Sequence, residues 1–298
     1  PVQQHDVGEL VHLVRLLLEH GVRVYQLTAT IEVQNSILKN GSIVVPLAQP
    51  YRSFIKEILE KQNYPVRRYT PDGEIIAPYD ITSWSLPVHR GVACQQIDQR
   101  VAWLEDNIEE VPDGFSVRDV LAVPTDRALY PANYNDSYKA VFIALKQGLK
   151  VERIAGDSTG EGIPPGSFLI RALASQLRLI EDQLVISPHY LTADPKVAKR
   201  SLKLPRIALV ETWFHDMDAG WTRFVLDSYQ IPYSILRPSD FAEKKMSADF
   251  DMIIFPDADN NILLSGKTKT TEGVSNISSY PPEYTKGIEK EGMNNLLT

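Results

Sequence analysis

The chain has a single cysteine, Cys94, among 298 residues. That excludes an internal disulfide framework and a cysteine-built zinc cluster, and it says nothing about compartment. No apolar run approaches the roughly eighteen residues of a membrane helix. Basic residues number 31 against 38 acidic, and the net charge of −7 lacks the basic footprint of a nucleic-acid binder. No Gly-x-Ser-x-Gly elbow occurs. Cys94, in GVACQQID, stands outside any strand–elbow–helix pattern and has no histidine at recognisable spacing, so it reads as a buried structural residue. No secretory signal opens the chain. It starts at Pro1 directly in a helix pattern and closes with KGIEKEGMNNLLT, an amphipathic pattern without a cap. Both ends read as cut from a longer protein, so the missing signal does not argue for the cytoplasm.

What is present is ordinary globular composition, 43% hydrophobic and 23% charged, long enough for one large or two modest domains. From Arg206 to Asp257 the chain reads RIALVETWF, HDMDAG, WTRFVLDSYQ, IPYSILRP and then DMIIFPD. Short β-rich runs around one helix-length segment predict a βαβ unit in a doubly wound, mostly parallel, flavodoxin-like sheet. Helix, tight break and strand recur at 10–27, 140–154 and 224–236, with Gly21 and Gly148 at the left-handed position past a helix end. Strands Val117–Val123 and Arg206–Thr212 are expected before the second and third copies.

Residues 30–49 predict a hairpin turning at Asn40-Gly41, and Pro50 opens a helix over Tyr51–Gln62. Residues 63–92 read as an irregular Pro-rich arm, in which Trp84 and Leu86 point to packing. Pro112-Asp113-Gly114 marks a boundary, giving a 1–115 segment and a 116–298 α/β domain. GDSTGEGIPPG (156–166) reads as a loop and not a phosphate cradle, because Pro164 and Pro165 remove two N–H groups. A helix is expected to begin near Ala172 and run to Leu184, and 258–282 reads as a mobile polar loop.

Ligands of such sheets lie beyond the carboxyl ends of the strands, and these ends carry Asp216, Asp218, Asp257 and Asp259. His215 and Asp218 have His-x-x-Asp spacing, but a zinc enzyme generally needs three protein ligands. The favoured reading makes Asp218 the N-cap of a helix over Ala219–Tyr229, with Asp216 favoured by the helix dipole. Asp257-Ala-Asp259-Asn-Asn261 starts like a calcium loop, but Ile262 stands where glycine is needed and Thr268 where glutamate is, so it reads as a strand-end turn. No catalytic residue and no metal ligand is assigned. Trp213, Asp216, Asp218, Trp221, Arg223 and Asp257 are the ligand or interface candidates, since Trp and Arg are favoured anchors. The plainer alternative for Trp221 and Phe224, three apart on a helix, is that both face the core.

DAGWTRFVLDSYQIPYSILRPSDF, FDMIIFPD and YPPEYTKGIEKEGMNNL resemble the C-terminal region of large bacterial zinc carboxypeptidases of the carboxypeptidase A type. SIVVPLAQPYRSFIKEILEKQNYP, PYDITSWSLPVHRGV and PPGSFLI resemble other stretches of the same proteins. The resemblance implies a class I glutamine amidotransferase-like domain without its nucleophile, next to an upstream peptidase domain of the same chain. Zinc would belong to that upstream domain, because the family's His-x-x-Glu motif does not occur here. A secreted or periplasmic location is implied by the resemblance alone. The expected function is that of a non-catalytic accessory region. The alternatives are a divalent-cation hydrolase or a small-ligand-binding module using the acidic rim. No nucleic-acid partner and no membrane span are expected.

Overall fold

In the computed structural model, which describes residues 6–33, 36–61, 63, 65–77, 85–98, 100–118, 123–155, 164–214, 216–270, 273–275 and 281–297, the first element is the expected helix α1, Val7–Glu19. Asp6 starts it by accepting from the N–H groups of Gly8 (2.8 Å) and Glu9 (3.2 Å), which satisfies donors that the first turn leaves free. Val11, Val14 and Leu17 form its buried stripe. Gly21 ends it at φ +77°, a backbone state that costs other residues a steric penalty. The chain divides into two compact units, Pro1–Ser137 with Ile154–Ala198, and Tyr138–Arg153 with Lys199–Thr298.

In the first unit β1 (Tyr25–Leu27) leaves α1, followed by β2 (Ile31–Val33), β3 (Ser36–Leu38) and β4 (Ile43–Val44). The hairpin forms one step earlier than the sequence predicts. β2 pairs with β3, Val33 opposite Ser36, while the Asn40-Gly41 turn leads to β4, which pairs antiparallel with β1. Core formation explains the shift: Leu27, Ile31 and Val33 cluster with Leu38 and Val44, which needs both strands of the TIEVQNSIL stretch folded inward. Helix α2 (Arg52–Leu59) lies inside its expected range. The arm contains one isolated bridge, Arg68 to Ile75, and a short helix α3 (Leu86–His89). Trp84 lies outside the described residues. β5 (Ile108–Glu110) pairs antiparallel with the free side of β1.

The strand expected at 117–123 is displaced. The described residues there, 117, 118 and 123, are not in a strand, and β6 is Arg127–Tyr130. Helix α4 (Asn135–Lys146) and strand β7 (Lys150–Ile154) follow, with Gly148 between them at φ +72°. β8 (Phe168–Arg171) precedes α5 (Ala174–Glu181), which starts two residues after its expected position, and β9 is His189–Tyr190. β6 pairs antiparallel with both β8 and β9. The parallel arrangement expected of the sheet is therefore not what this unit adopts. Ala128, Leu129, Tyr130, Leu169 and Ile170 are buried, so these short strands are enclosed on both faces.

The second unit carries β10 (Lys199–Ser201), then the parallel elements predicted from Arg206 onward: β11 (Ile207–Val210), α6 (Met217–Ser228), β12 (Ser234–Leu236), α7 (Met246–Asp249) and β13 (Met252–Ile254). Strand order is β12-β11-β13, all parallel. All four residues of β11 are buried, as a strand covered on both faces requires. Phe241, Leu236, Met246 and Ile288 pack on Ala208 and Val210. Residues 258–282, expected as a mobile loop, contain helix α8 (Asn260–Ser265) and a hairpin of β14 (Thr268–Thr270) with β15 (Gly273–Ser275). α9 (Glu289–Leu297) follows. The protein is thus a mixed α/β chain with several separate sheets.

At the amino end of the parallel sheet, Arg206 and Asp251 clamp β11 to β13. The Arg206 N–H donates to Asp251 Oδ2 (2.8 Å), its Nη2 donates to Oδ1 (2.9 Å), and the Asp251 N–H returns to the Arg206 carbonyl (2.9 Å). The hydrogen bonds from the Arg206 side chain and backbone hold the Asp251 carboxyl down at about 2, from an ordinary 3.8. Because the folded value is the lower one, this pair stabilises the fold above the ordinary aspartate range and loses its effect as pH falls toward 2. A carboxyl titration followed by NMR should place Asp251 near 2, and Arg206→Ala should return it to the range near 4. An unchanged value in that variant would refute the clamp.

Candidate functional site

The carboxyl ends of β11 and β12 meet around one arginine. Arg237 directly follows β12, and its Nη1 donates to the carbonyls of Glu211 (3.1 Å) and Thr212 (2.7 Å), the two residues that follow β11. The same nitrogen lies 3.8 Å from Glu211 Oε1. The guanidinium stacks 3.8 Å over the centroid of the Trp213 ring, and Tyr284 meets that indole edge-on at 4.8 Å. Arg223, one helical turn or more into α6, reaches Glu211 Oε2 at 3.4 Å. Hydrogen bonding to Tyr233, then the charge of Glu211, pushes the Arg223 guanidinium above its ordinary value. The Arg237 N–H donates to Asp240 Oδ2 (2.9 Å), and Pro238 starts the 3-10 turn of Pro238–Ala242, so the loop after β12 is fixed from both sides.

The expected acidic rim is present, and two of its four carboxylates, those of Asp216 and Asp259, hold the backbone together. Asp216, not Asp218, occupies the N-cap position of α6, which begins two residues earlier than predicted. Its carboxylate does not cap that helix; it accepts from the Thr212 N–H and closes the turn leaving β11. Asp218 is an exposed first-turn acid, where the helix dipole favours a negative charge. Asp257 is exposed after β13, and Asp259 caps α8 by accepting from Asn261 N (2.7 Å) and Ile262 N (3.1 Å). A strand-end turn leading into a capped helix is therefore what the calcium-like run builds. His215 lies outside the described residues. Among the described residues no three His, Cys, Asp or Glu side chains gather where they could hold a metal ion.

Two plain expectations are overturned. Cys94 is exposed, because its segment, residues 92–98, forms no helix or strand that would carry it into a core. Trp221 and Phe224 do not face the core. They are 63% and 62% exposed and meet each other edge-to-face at 5.9 Å, while Ala219 and Leu226 occupy the inward side of α6. Of the sequence candidates, the structure brings Trp213 to Arg237 and Tyr284, Arg223 to Glu211, and Asp216 to Thr212. Glu211, Arg237 and Tyr284 are crest residues that the sequence reading missed. For Glu211 and Arg237 the only signal was position, since residues directly after a parallel strand lie on the rim; Tyr284, in a 3-10 turn far along the chain, had none. An open cleft of about 480 Å³ lies at the other end of β12, in the turn after α6, lined by Lys146, Asp227, Gln230, Ile231, Pro232 and Tyr233.

The first unit contains a second polar cluster with no counterpart in the sequence reading. Glu181, at the end of α5, is fully buried. Its Oε1 accepts from Ser187 Oγ (2.7 Å), and its Oε2 from Tyr190 Oη and Arg178 Nη1 (both 2.8 Å). Arg118 Nη2 approaches Oε1 at 4.0 Å and donates to Asp182 at 2.8 Å. Burial first, then the hydrogen bond to Glu181, pushes the Tyr190 hydroxyl well up. Every strong contact of this carboxylate is with the fold itself, which marks it as a structural tie.

No protein family, curated protein or solved structure matches this chain. Among the described residues no helix is long and apolar enough to cross a membrane.

Proposed function

We propose that the chain is a non-catalytic accessory region of a zinc carboxypeptidase-like protein, serving to dock on or shape access to a peptidase domain of the same polypeptide. The observation that carries this reading is the use made of the rim: Asp216 closes a turn, Asp259 caps a helix and Glu211 pairs with two arginines. Such contacts stiffen the strand ends and leave only the exposed Asp218 and Asp257 for general acid–base work. The strand order second–first–third agrees with the start of a flavodoxin-type sheet, and so supports the amidotransferase-like assignment of the second unit. Zinc belongs, on this reading, to the upstream domain, and a secreted or periplasmic site follows from the resemblance.

The test has three arms. The reading frame ahead of Pro1 should encode a His-x-x-Glu zinc motif. The 298-residue chain should release no C-terminal residue from peptides, with or without added zinc. Calorimetric titration with zinc, magnesium, manganese or calcium should give no heat assignable to a site. Tight binding removed by Asp216→Ala or Asp257→Ala would replace this reading with the divalent-cation hydrolase.

A further inference from the structure

Helix α6 has two apolar faces. At about 100° per residue, Ala219 and Leu226 share the inward side and are buried. Met217, Trp221 and Phe224 lie opposite, 75%, 63% and 62% exposed, with Val225, 51% exposed, at the edge of the same stripe. A surface helix needs one apolar stripe toward the core and polar residues elsewhere. Here the outward stripe is the bulkier of the two, and contiguous apolar surface of this kind marks an interaction site. Gly220 adjoins it inside the helix, and a Cβ built there would meet nothing within 4 Å. A mid-helix glycine is less stable than alanine, and its missing side chain leaves a notch between Met217 and Phe224 into which another backbone can come close. Exposed carboxylates flank the stripe on both sides, Asp218 on one and Asp227 on the other.

From this we infer that α6 is itself the inserted element of a helix-in-groove contact, and that its receptor is an apolar protein groove rimmed by Lys and Arg. Charge selects that occupant, since two carboxylates bracketing an apolar stripe call for a basic rim and disfavour an anionic lipid surface. Area argues against a second copy. A twelve-residue helix offers a strip about 18 Å by 10 Å, and two such strips face to face fall short of the ~1,200 Å² that a specific interface buries. A groove encloses the helix on three sides and roughly triples that area, to near the lower bound of a specific interface. The inference rests on the docking role proposed above and adds which element docks and what receives it.

The test is thiol labelling of Ser228→Cys in a Cys94→Ser background, since Ser228 is exposed and lies along the same stripe. The 298-residue chain and the full-length polypeptide are compared. Labelling should be fast in the former and ~tenfold or more slower in the latter, and Asp218→Lys with Asp227→Lys should restore the fast rate. Equal rates in both proteins would overturn the inference. So would protection that survives the charge reversal, or protection already present in the 298-residue chain that grows with its concentration, which would identify a second copy. A full-length chain that lacks any zinc motif, yet protects the introduced thiol in the charge-dependent way, would defeat the peptidase assignment and leave the docking helix standing.

Discussion

Glu181→Ala should destabilise the protein by about 3 kcal/mol, the cost of leaving the donors around a buried carboxylate unsatisfied. The carboxylate is fully buried and takes hydrogen bonds from Ser187, Tyr190 and Arg178. Alanine would leave those donors facing each other. Ser187 and Tyr190 belong to the segment that leads into and forms β9, so they cannot draw apart without disturbing that strand. Tyr130 lies close by and is fully buried, and among the described residues its hydroxyl has no hydrogen-bond partner, so the cluster has little slack to absorb another orphaned group. Glu181→Gln keeps the shape but turns an NH2 toward other donors, and about 2 kcal/mol is expected from it. Asp182→Ala, which removes only the exposed partner of Arg118, should cost less than about 1 kcal/mol. Urea denaturation of the three variants checks this ranking. An alanine variant within about 1 kcal/mol of the parent would show that the cluster is not a structural tie.

Phe241→Ala is the second large effect, at about 3–5 kcal/mol. Phe241 is fully buried in the core of the second unit, 5.9 Å from the Phe255 ring. On its other side lies Gly292, where an added Cβ would come within 2.8 Å of the Phe241 Cβ. A cavity left here can collapse only by moving α9 as a whole, which places the expected loss toward the upper end of that range. Phe241→Leu, which conserves more volume, should cost no more than about 1.5 kcal/mol. Denaturant unfolding followed by the fluorescence of Trp213 and Trp221 measures both. A leucine variant as damaging as alanine would mean that ring contacts dominate over volume.

The parallel unit from Arg206 onward was legible because its signals are local. Apolar runs of strand length alternate there with one helix-length segment; the observed β11, β12 and β13 fall inside the predicted spans, and α6 begins two residues before its own. Strand direction in the first unit was not legible. RALY (127–130) and FLIR (168–171) are short, almost wholly buried runs. Such runs lack the alternation that separates strand from helix, and nothing in them records which way a neighbour runs. The displaced hairpin turn has a similar cause: Asn40-Gly41 is a real turn, but which strands it joins depends on a core shared by Leu27, Ile31 and Val33. Trp221 misled because α6 has two apolar stripes and bulk suggested which is inside. The smaller pair, Ala219 and Leu226, is the one that faces inward. The Glu181 cluster joins α5 to β9 and Arg118, and no sequence spacing announces a meeting of such separate segments.

The attachment of α9 has a kinetic consequence. Asn295 Nδ2 donates to the carbonyls of Phe241 (2.9 Å) and Ala242 (3.0 Å), and the Ile288 N–H reaches the Leu263 carbonyl (2.9 Å). A few polar ties and one apolar face therefore hold a single helix against everything beneath it. Segments attached in this way open as cooperative blocks below the free energy of global unfolding. Amide exchange in 289–297 and in 238–242 should accordingly share one opening free energy, lower than that of β11, so that the 3-10 turn loses its protection whenever the helix lifts.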